Sequence, residues 1–206
     1  MAGMIHAVLF DLDGVVRHFD HDPQLERRHG LADGALTTAA FTTPLIDEVT
    51  TGGITRAAWI AAIGDTVGSA EAAAEWGQTP FHVDPDLLVL ADDLRAQGLI
   101  AAILTNGTDT IVQEAARAGI TEHFHPIFNS AEIGHAKPDA RAFLHVLHEL
   151  RLAPEHVLFT DDSASKLAGA IQLGMPTHHF TGIRSLRVAL RAQGIALGDV
   201  TAPDTP

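Results

Sequence analysis

The sequence predicts an α/β protein, a doubly wound parallel sheet interrupted near its start by an inserted all-helical domain. Three observations predict it. Short apolar runs at Ile5 to Phe10, Leu99 to Leu104 and His156 to Phe159 read as buried strands. Helical patterns closed by glycines, at Gly119 and Gly174, alternate with them, and repeated βα units imply a parallel sheet covered on both faces. Between the first strand and the next, from Arg17 to about Pro80, only helical spacings occur.

Taken in order, the first run carries β-branched Ile5 and Val8 and ends abruptly at Asp11-Leu12-Asp13-Gly14. Helical spacing follows over Leu36 to Val49 and Ile54 to Ile63, where Trp59, Ile60 and Ile63 share a face and Thr55 caps the start. Ala70 to Trp76 is a further helix. From Pro85 the alternation begins: a helix over Asp86 to Gln97 ended by Gly98, the strand to Leu104, and a helix over Thr108 to Ala118. A weaker strand at Pro126 to Asn129 leads to a helix over Asp139 to Leu150. The strand at His156 precedes a helix over Ser165 to Leu173, a short strand at Thr177 to Phe180 and a last helix over Ile183 to Gln193. The expected organisation is therefore a core of residues 1–16 and 85–198, a helical insertion of 17–84, and a loose tail of 199–206.

Composition narrows the function. Net charge is −13 over 206 residues, a field that repels a polyanion, so nucleic acid is discounted as a partner. A small anionic substrate remains compatible, because one cation reverses the local sign. With no cysteine there is neither a disulfide nor a thiolate metal site, which fits a cytoplasmic location. No leader pattern and no apolar run near the roughly 20 residues of a membrane helix is found, so no membrane partner is expected. Monomer and homodimer are equally compatible.

Polar residues follow three of the apolar strands: Asp11 and Asp13, Thr105 and Asn106, and Asp161 and Asp162. A parallel sheet puts all three sets on one edge, where open α/β sheets bind their ligands. Four carboxylates crowded there raise one another's pKa unless a cation intervenes. Oxygen ligands without Cys or an HExxH pattern favour Mg²⁺. Lys137, in a loop held extended by Pro138, lies on the same edge.

These residues carry a resemblance to a known family. DLDGV at Asp11 to Val15, LTNG at Leu104 to Gly107, the lysine of HAKPD at Lys137 and FTDDS at Phe159 to Ser163 resemble, in order and spacing, the four motifs of the haloacid dehalogenase (HAD) superfamily. The resemblance implies a Rossmann-like core, with the helical insertion in the place of that family's cap. It implies Asp11 as nucleophile, Asp13 as acid and base, and Mg²⁺ held by the Asp11 side chain, the Asp13 carbonyl and Asp162, with Asp161 helping directly or through water. Lys137 would bridge Asp11 and the phosphoryl group, and Thr105 and the Asn106 N–H would bind phosphate oxygens. Asp13 favours phosphoryl transfer over dehalogenation, because a departing halide needs no proton.

Each motif alone has an ordinary counterpart: a strand-to-helix turn at Thr105-Asn106-Gly107, a helix-cap cluster at Asp161-Asp162-Ser163, a solvated lysine at Lys137. Their joint order decides the reading, a Mg²⁺-dependent phosphatase of a small phosphorylated metabolite. A sugar-phosphate mutase and a catalytically silent interaction module are the alternatives. In the insertion, Arg17, His18, His21, Arg28 and Arg56 are candidates for substrate contact, His18 first because it follows the catalytic strand. Lys166, where the family often carries Asn or Asp, is expected either to pair with Asp162 or to face solvent.

Overall fold

The computed structural model describes residues 4–197. The loose tail expected over 199–206 lies outside the described residues.

The chain opens with β1 (Ala7–Phe10), turns, and forms β2 (Arg17–Phe19). Five short helices follow: α1 (Leu25–Arg28), α2 (Ala35–Ala40), α3 (Leu45–Thr50), α4 (Arg56–Val67) and α5 (Ala70–Trp76). β3 (Phe81–Val83) brings the chain back, antiparallel to β2, with Arg17 opposite Val83. Then come α6 (Pro85–Ala96), β4 (Ile100–Thr105), α7 (Ile111–Arg117), α8 (Ile120–His123), β5 (Ile127–Asn129), α9 (Ser130–Ile133) and α10 (Ala140–Leu150). The last elements are β6 (Val157–Asp161), α11 (Ala168–Gln172), β7 (Thr177–His179) and α12 (Ile183–Ala192).

β5, β4, β1, β6 and β7 form one sheet in that order, all parallel, with β1 at its centre. Successive residues of a strand face opposite sides, and β1 shows the consequence. Val8 and Phe10 pack with Leu87, Leu90 and Leu94 of α6 and Leu186 and Leu190 of α12. Ala7 and Leu9 pack on the other face with Phe143 and Val146 of α10 and Ala170 of α11. The sheet is thus doubly wound, as the unbroken apolar runs require.

The helices between β2 and β3 build a third cluster, from Leu36, Val49, Trp59, Ile63, Ala72 and Ala73, without residues of the sheet. Trp59 stacks edge-on against Trp76 and donates from its indole N–H to the Ala40 carbonyl at 3.1 Å. Thr55 and Ser69 cap α4 and α5 with their hydroxyls.

Three local expectations are corrected. The stretch read as free of strands begins with β2, a three-residue strand too short to show alternation, which gains its hydrogen bonds from a segment more than 60 residues away. The single helical stretch over Leu36 to Val49 is two helices, because Pro44 cannot continue α2 and instead precedes the first residue of α3. The helix expected from Asp139 begins one residue later, at Ala140, because Asp139 caps it, accepting from the Arg141 N–H at 2.9 Å.

Candidate active site

β1 ends where the buried chain must leave the sheet. The Asp11 N–H still pairs with the Thr160 carbonyl of β6 at 2.9 Å, so the Asp11 side chain is held at the strand's carboxyl end. The turn beyond is closed by the Leu12 carbonyl, which accepts from the N–H groups of Val16 at 2.9 Å and Arg17 at 2.8 Å. Gly14 sits in this turn at φ +89°, and a Cβ there would strike the Asp162 carboxylate. Glycine is required on both counts.

Lys137 reaches this edge from the loop before α10. Its Nζ donates to Asp11 Oδ1 and to Asp161 Oδ2, both at 2.7 Å, with the lysine and Asp161 side chains each 1% exposed. Asp161 is fixed again from below, its Oδ1 accepting the Ser163 N–H at 2.8 Å. The Lys137 backbone is clamped by the Asn106 side-chain amide: Oδ1 accepts the Lys137 N–H at 2.7 Å and Nδ2 donates to its carbonyl at 2.8 Å. Thr105, at the end of β4, is buried beside them.

The electrostatics follow from burial. Loss of water raises the Asp11 carboxyl from 3.8 to about 7; Lys137 pulls it back, while Asp161 and Asp13 push it up. Asp162, at the exposed rim beside Asp161, is raised as well, by lost hydration and by the Asp161 charge. One carboxylate oxygen from each of Asp11, Asp161 and Asp162 lies within 4.8 Å of the others. Three hard oxygen donors, two on groups whose pKa is raised by lost hydration and by neighbouring carboxylates, fit a divalent cation such as Mg²⁺. The room left by Gly14 lets the Asp162 carboxylate join them.

Asp13, two residues past Asp11, is the more exposed carboxylate. Both its oxygens are engaged by Arg17: Nε donates to Oδ1 at 2.5 Å and Nη2 to Oδ2 at 3.0 Å. Arg17 also donates to Glu114 of α7 at 2.7 Å, and its side chain is 3% exposed. Burial depresses the guanidinium, but Asp13 and Glu114 outweigh it and hold its pKa above the ordinary value.

Of the residues singled out in the sequence, Asp11, Lys137, Asp161 and Asp162 are brought together, with Asp13, Thr105 and Asn106 around them. His18 is not. It lies opposite His82 in the β2–β3 ribbon, the two rings stacked 5.5 Å apart, on the face away from its neighbour Arg17. Lys166 neither pairs with Asp162 nor points freely to solvent: its Nζ donates to the Lys137 carbonyl at 3.2 Å, because a short 3-10 turn, not an α-helix, follows Ser163. Reasoning from the sequence missed two contributors. The Asn106 side-chain clamp spans 31 residues, and Glu114, on the far side of Arg17, spans 97. No local pattern signals either.

The family described as haloacid dehalogenase-like hydrolase matches residues 5–174. A phosphoserine phosphatase of Thermus thermophilus is 32% identical over 87 residues, 42% of this chain and 35% of that protein. An (S)-2-haloacid dehalogenase of Pseudomonas is 33% identical over 94 residues, 45% of this chain and 41% of that protein. The chain thus aligns with well under half the length of these curated relatives. A HAD family enzyme of Bacteroides thetaiotaomicron, solved with magnesium and inorganic phosphate, superposes with a TM-score of 0.70 at 22% identity, over 84% of this chain and 93% of that one. Among the described residues no helix is long and apolar enough to cross a membrane.

Proposed function

The chain belongs to the haloacid dehalogenase-like hydrolases, and from that premise we propose that it is a Mg²⁺-dependent phosphatase acting on a small phosphorylated metabolite. Relatives of both kinds, phosphatase and dehalogenase, align with it. The observation that carries the choice is Asp13, a carboxylate two residues beyond the Lys137-bound Asp11 and open enough to meet a leaving group. Ester cleavage releases an alkoxide that needs a proton; halide does not.

In the proposed reaction an Asp11 carboxylate oxygen attacks phosphorus while the ester P–O bond breaks. Asp13 gives its proton to the departing oxygen, which leaves as an alcohol. Asp13 then takes a proton from water, the water oxygen attacks the phosphorus of the Asp11 phosphate, and inorganic phosphate leaves as the carboxylate is restored. Lys137 holds Asp11 in line and offers positive charge where the phosphoryl oxygens gather. Thr105 and the Asn106 N–H lie at the same edge to receive those oxygens. Mg²⁺, held by Asp11, Asp162 and the Asp13 carbonyl with Asp161 beside them, would shield the nucleophile from the substrate's negative charge. The helical insertion, joined to the core through the β2–β3 ribbon, is placed to close over this edge and exclude water.

The test is a panel of phosphorylated sugars, nucleotides and organic acids with Mg²⁺ supplied, reading free phosphate. Turnover of at least one ester is expected in the wild type. In Asp11→Asn it should fall by about a thousand-fold or more, as when a nucleophile is removed. Unchanged turnover in Asp11→Asn would overturn the nucleophile assignment.

A further inference from the structure

Arg17 is a charged residue in an unusual place. Its guanidinium is almost wholly enclosed and lies over the rings of Phe19 and Phe81, 4.9 and 5.0 Å from their centroids. These rings belong to the two strands of the ribbon that joins the helical insertion to the core. On one side Arg17 grips both oxygens of Asp13; on the other it is anchored by Glu114. Glu114 is itself fixed: its Oε1 accepts the Thr110 hydroxyl at 2.6 Å, and Arg56, at the start of α4 in the insertion, lies 3.8 Å away.

A buried guanidinium is costly unless every neighbour is placed to satisfy it. Fork geometry with two parallel donors fixes the plane of a carboxylate, which a single lysine ammonium cannot do. Asp13 immediately precedes Gly14 in the turn that leaves β1. Each of its oxygens keeps a further lone pair beyond the one used by Arg17, so the grip sets orientation without occupying the whole group.

We propose that Arg17, braced by Glu114 and packed against the two rings of the ribbon, is a positioning residue that aims the Asp13 carboxyl at the leaving oxygen of the substrate. The inference rests on the phosphatase reading above. It assigns Arg17 no contact with the phosphoryl group, whose charge is met by Lys137. Its effect on ester cleavage is therefore confined to proton delivery. Up to departure of the leaving group, an ester whose leaving group needs a proton depends on Arg17, and one whose leaving group departs unaided does not; the later uptake of a proton from water by Asp13 is common to both.

The test compares an alkyl ester from the substrate panel with p-nitrophenyl phosphate, whose phenolate leaves without protonation. The proteins are wild type, Arg17→Met, Arg17→Lys and Glu114→Gln, all with saturating Mg²⁺. Arg17→Met is expected to lose about a hundred-fold in kcat/KM on the alkyl ester, within the range for general acid catalysis, and no more than a few-fold on p-nitrophenyl phosphate, because kcat/KM reads only the steps through departure of the leaving group. Arg17→Lys restores charge but not the fork and should recover only part of the loss. Glu114→Gln leaves Arg17 in place and should show the same selective loss at smaller size, which keeps the test alive where Arg17→Met does not fold. Equal losses on both esters in Glu114→Gln, or an unchanged ratio in any folded Arg17 variant, overturn the proposal. So does faster alkyl turnover in Arg17→Met, which would make the grip a restraint. A wild type that hydrolyses neither ester removes the phosphatase reading, and this inference with it.

Discussion

Ion pairs occur in both halves of the molecule, and their settings are opposite. At the sheet edge, Asp11, Lys137 and Asp161 are enclosed and interlocked. In the helical insertion, Arg27 pairs with Asp33 and Arg28 with Asp22 and Glu75 on the surface, with side chains 43–68% exposed. Exposed pairs are screened by water and contribute little. The enclosed set cannot be relaxed by solvent, so its members shift one another's protonation and hold one another in place. The insertion takes its stability from its apolar cluster, and the sheet edge exchanges part of its stability for a reactive carboxylate.

The largest effect that would sharpen this contrast is at Lys137. Lys137→Met leaves Asp11 and Asp161 facing each other without a cation. Breaking a buried pair in this way costs about 3–5 kcal/mol. The variant is expected to melt well below the wild type in chelator, to regain part of the loss with Mg²⁺, and to lose phosphatase turnover by about a thousand-fold. Wild-type stability without metal would show that the enclosed charges are not coupled as the geometry indicates.

A smaller and different effect is expected in the insertion. Ile63 is fully buried among Trp59, Leu36 and Ala73. Ile63→Ala opens a cavity costing about 2–5 kcal/mol. That cost should fall on a low-melting transition of the insertion, because its cluster shares no residue with the sheet's two clusters. Above that transition, and below the melting of the sheet, p-nitrophenyl phosphate turnover should persist. A single cooperative transition with activity lost in parallel would show that the two regions are one unit.

How much of this was legible in the sequence follows the same division. Three of the five sheet strands, β1, β4 and β6, and the residues at their ends could be read because an apolar run that stops at a polar group is a local signal. Asp11, Thr105 and Asp161 needed only the parallel order to meet. What could not be read depends on distant partners. Arg17 looks like a solvated charge until Glu114 and two aromatic rings enclose it. Asn106 looks like a turn residue until its amide meets the Lys137 backbone. The β2–β3 ribbon is three residues a side, below the length at which alternation shows, and His18 faces away from the site because of that pairing. Only Pro44 was a local signal passed over, since proline ends a helix regardless of what packs around it.

The smallest expected effect is in the dependence of stability on pH, and it separates the two regions by charge alone. Burial raises the folded-state pKa of Asp11 to about 7, above the 3.8 of the exposed group. A group with a raised folded pKa lends its full stability below the unfolded value and loses it as pH rises through the folded one. Metal-free protein should therefore melt a few degrees lower at pH 8 than at pH 6. The surface pairs of the insertion do not follow this course: Asp22 and Asp33 are lowered by their arginine partners and Glu75 by His29 and Arg28, and all three stay ionised across the interval. Mg²⁺ should narrow the gap by favouring the ionised carboxylate, and Asp11→Asn should remove it in chelator. A gap of the same size in Asp11→Asn would assign it to other titrating groups, the histidines first, and would separate the buried carboxylate from the pH response of the fold.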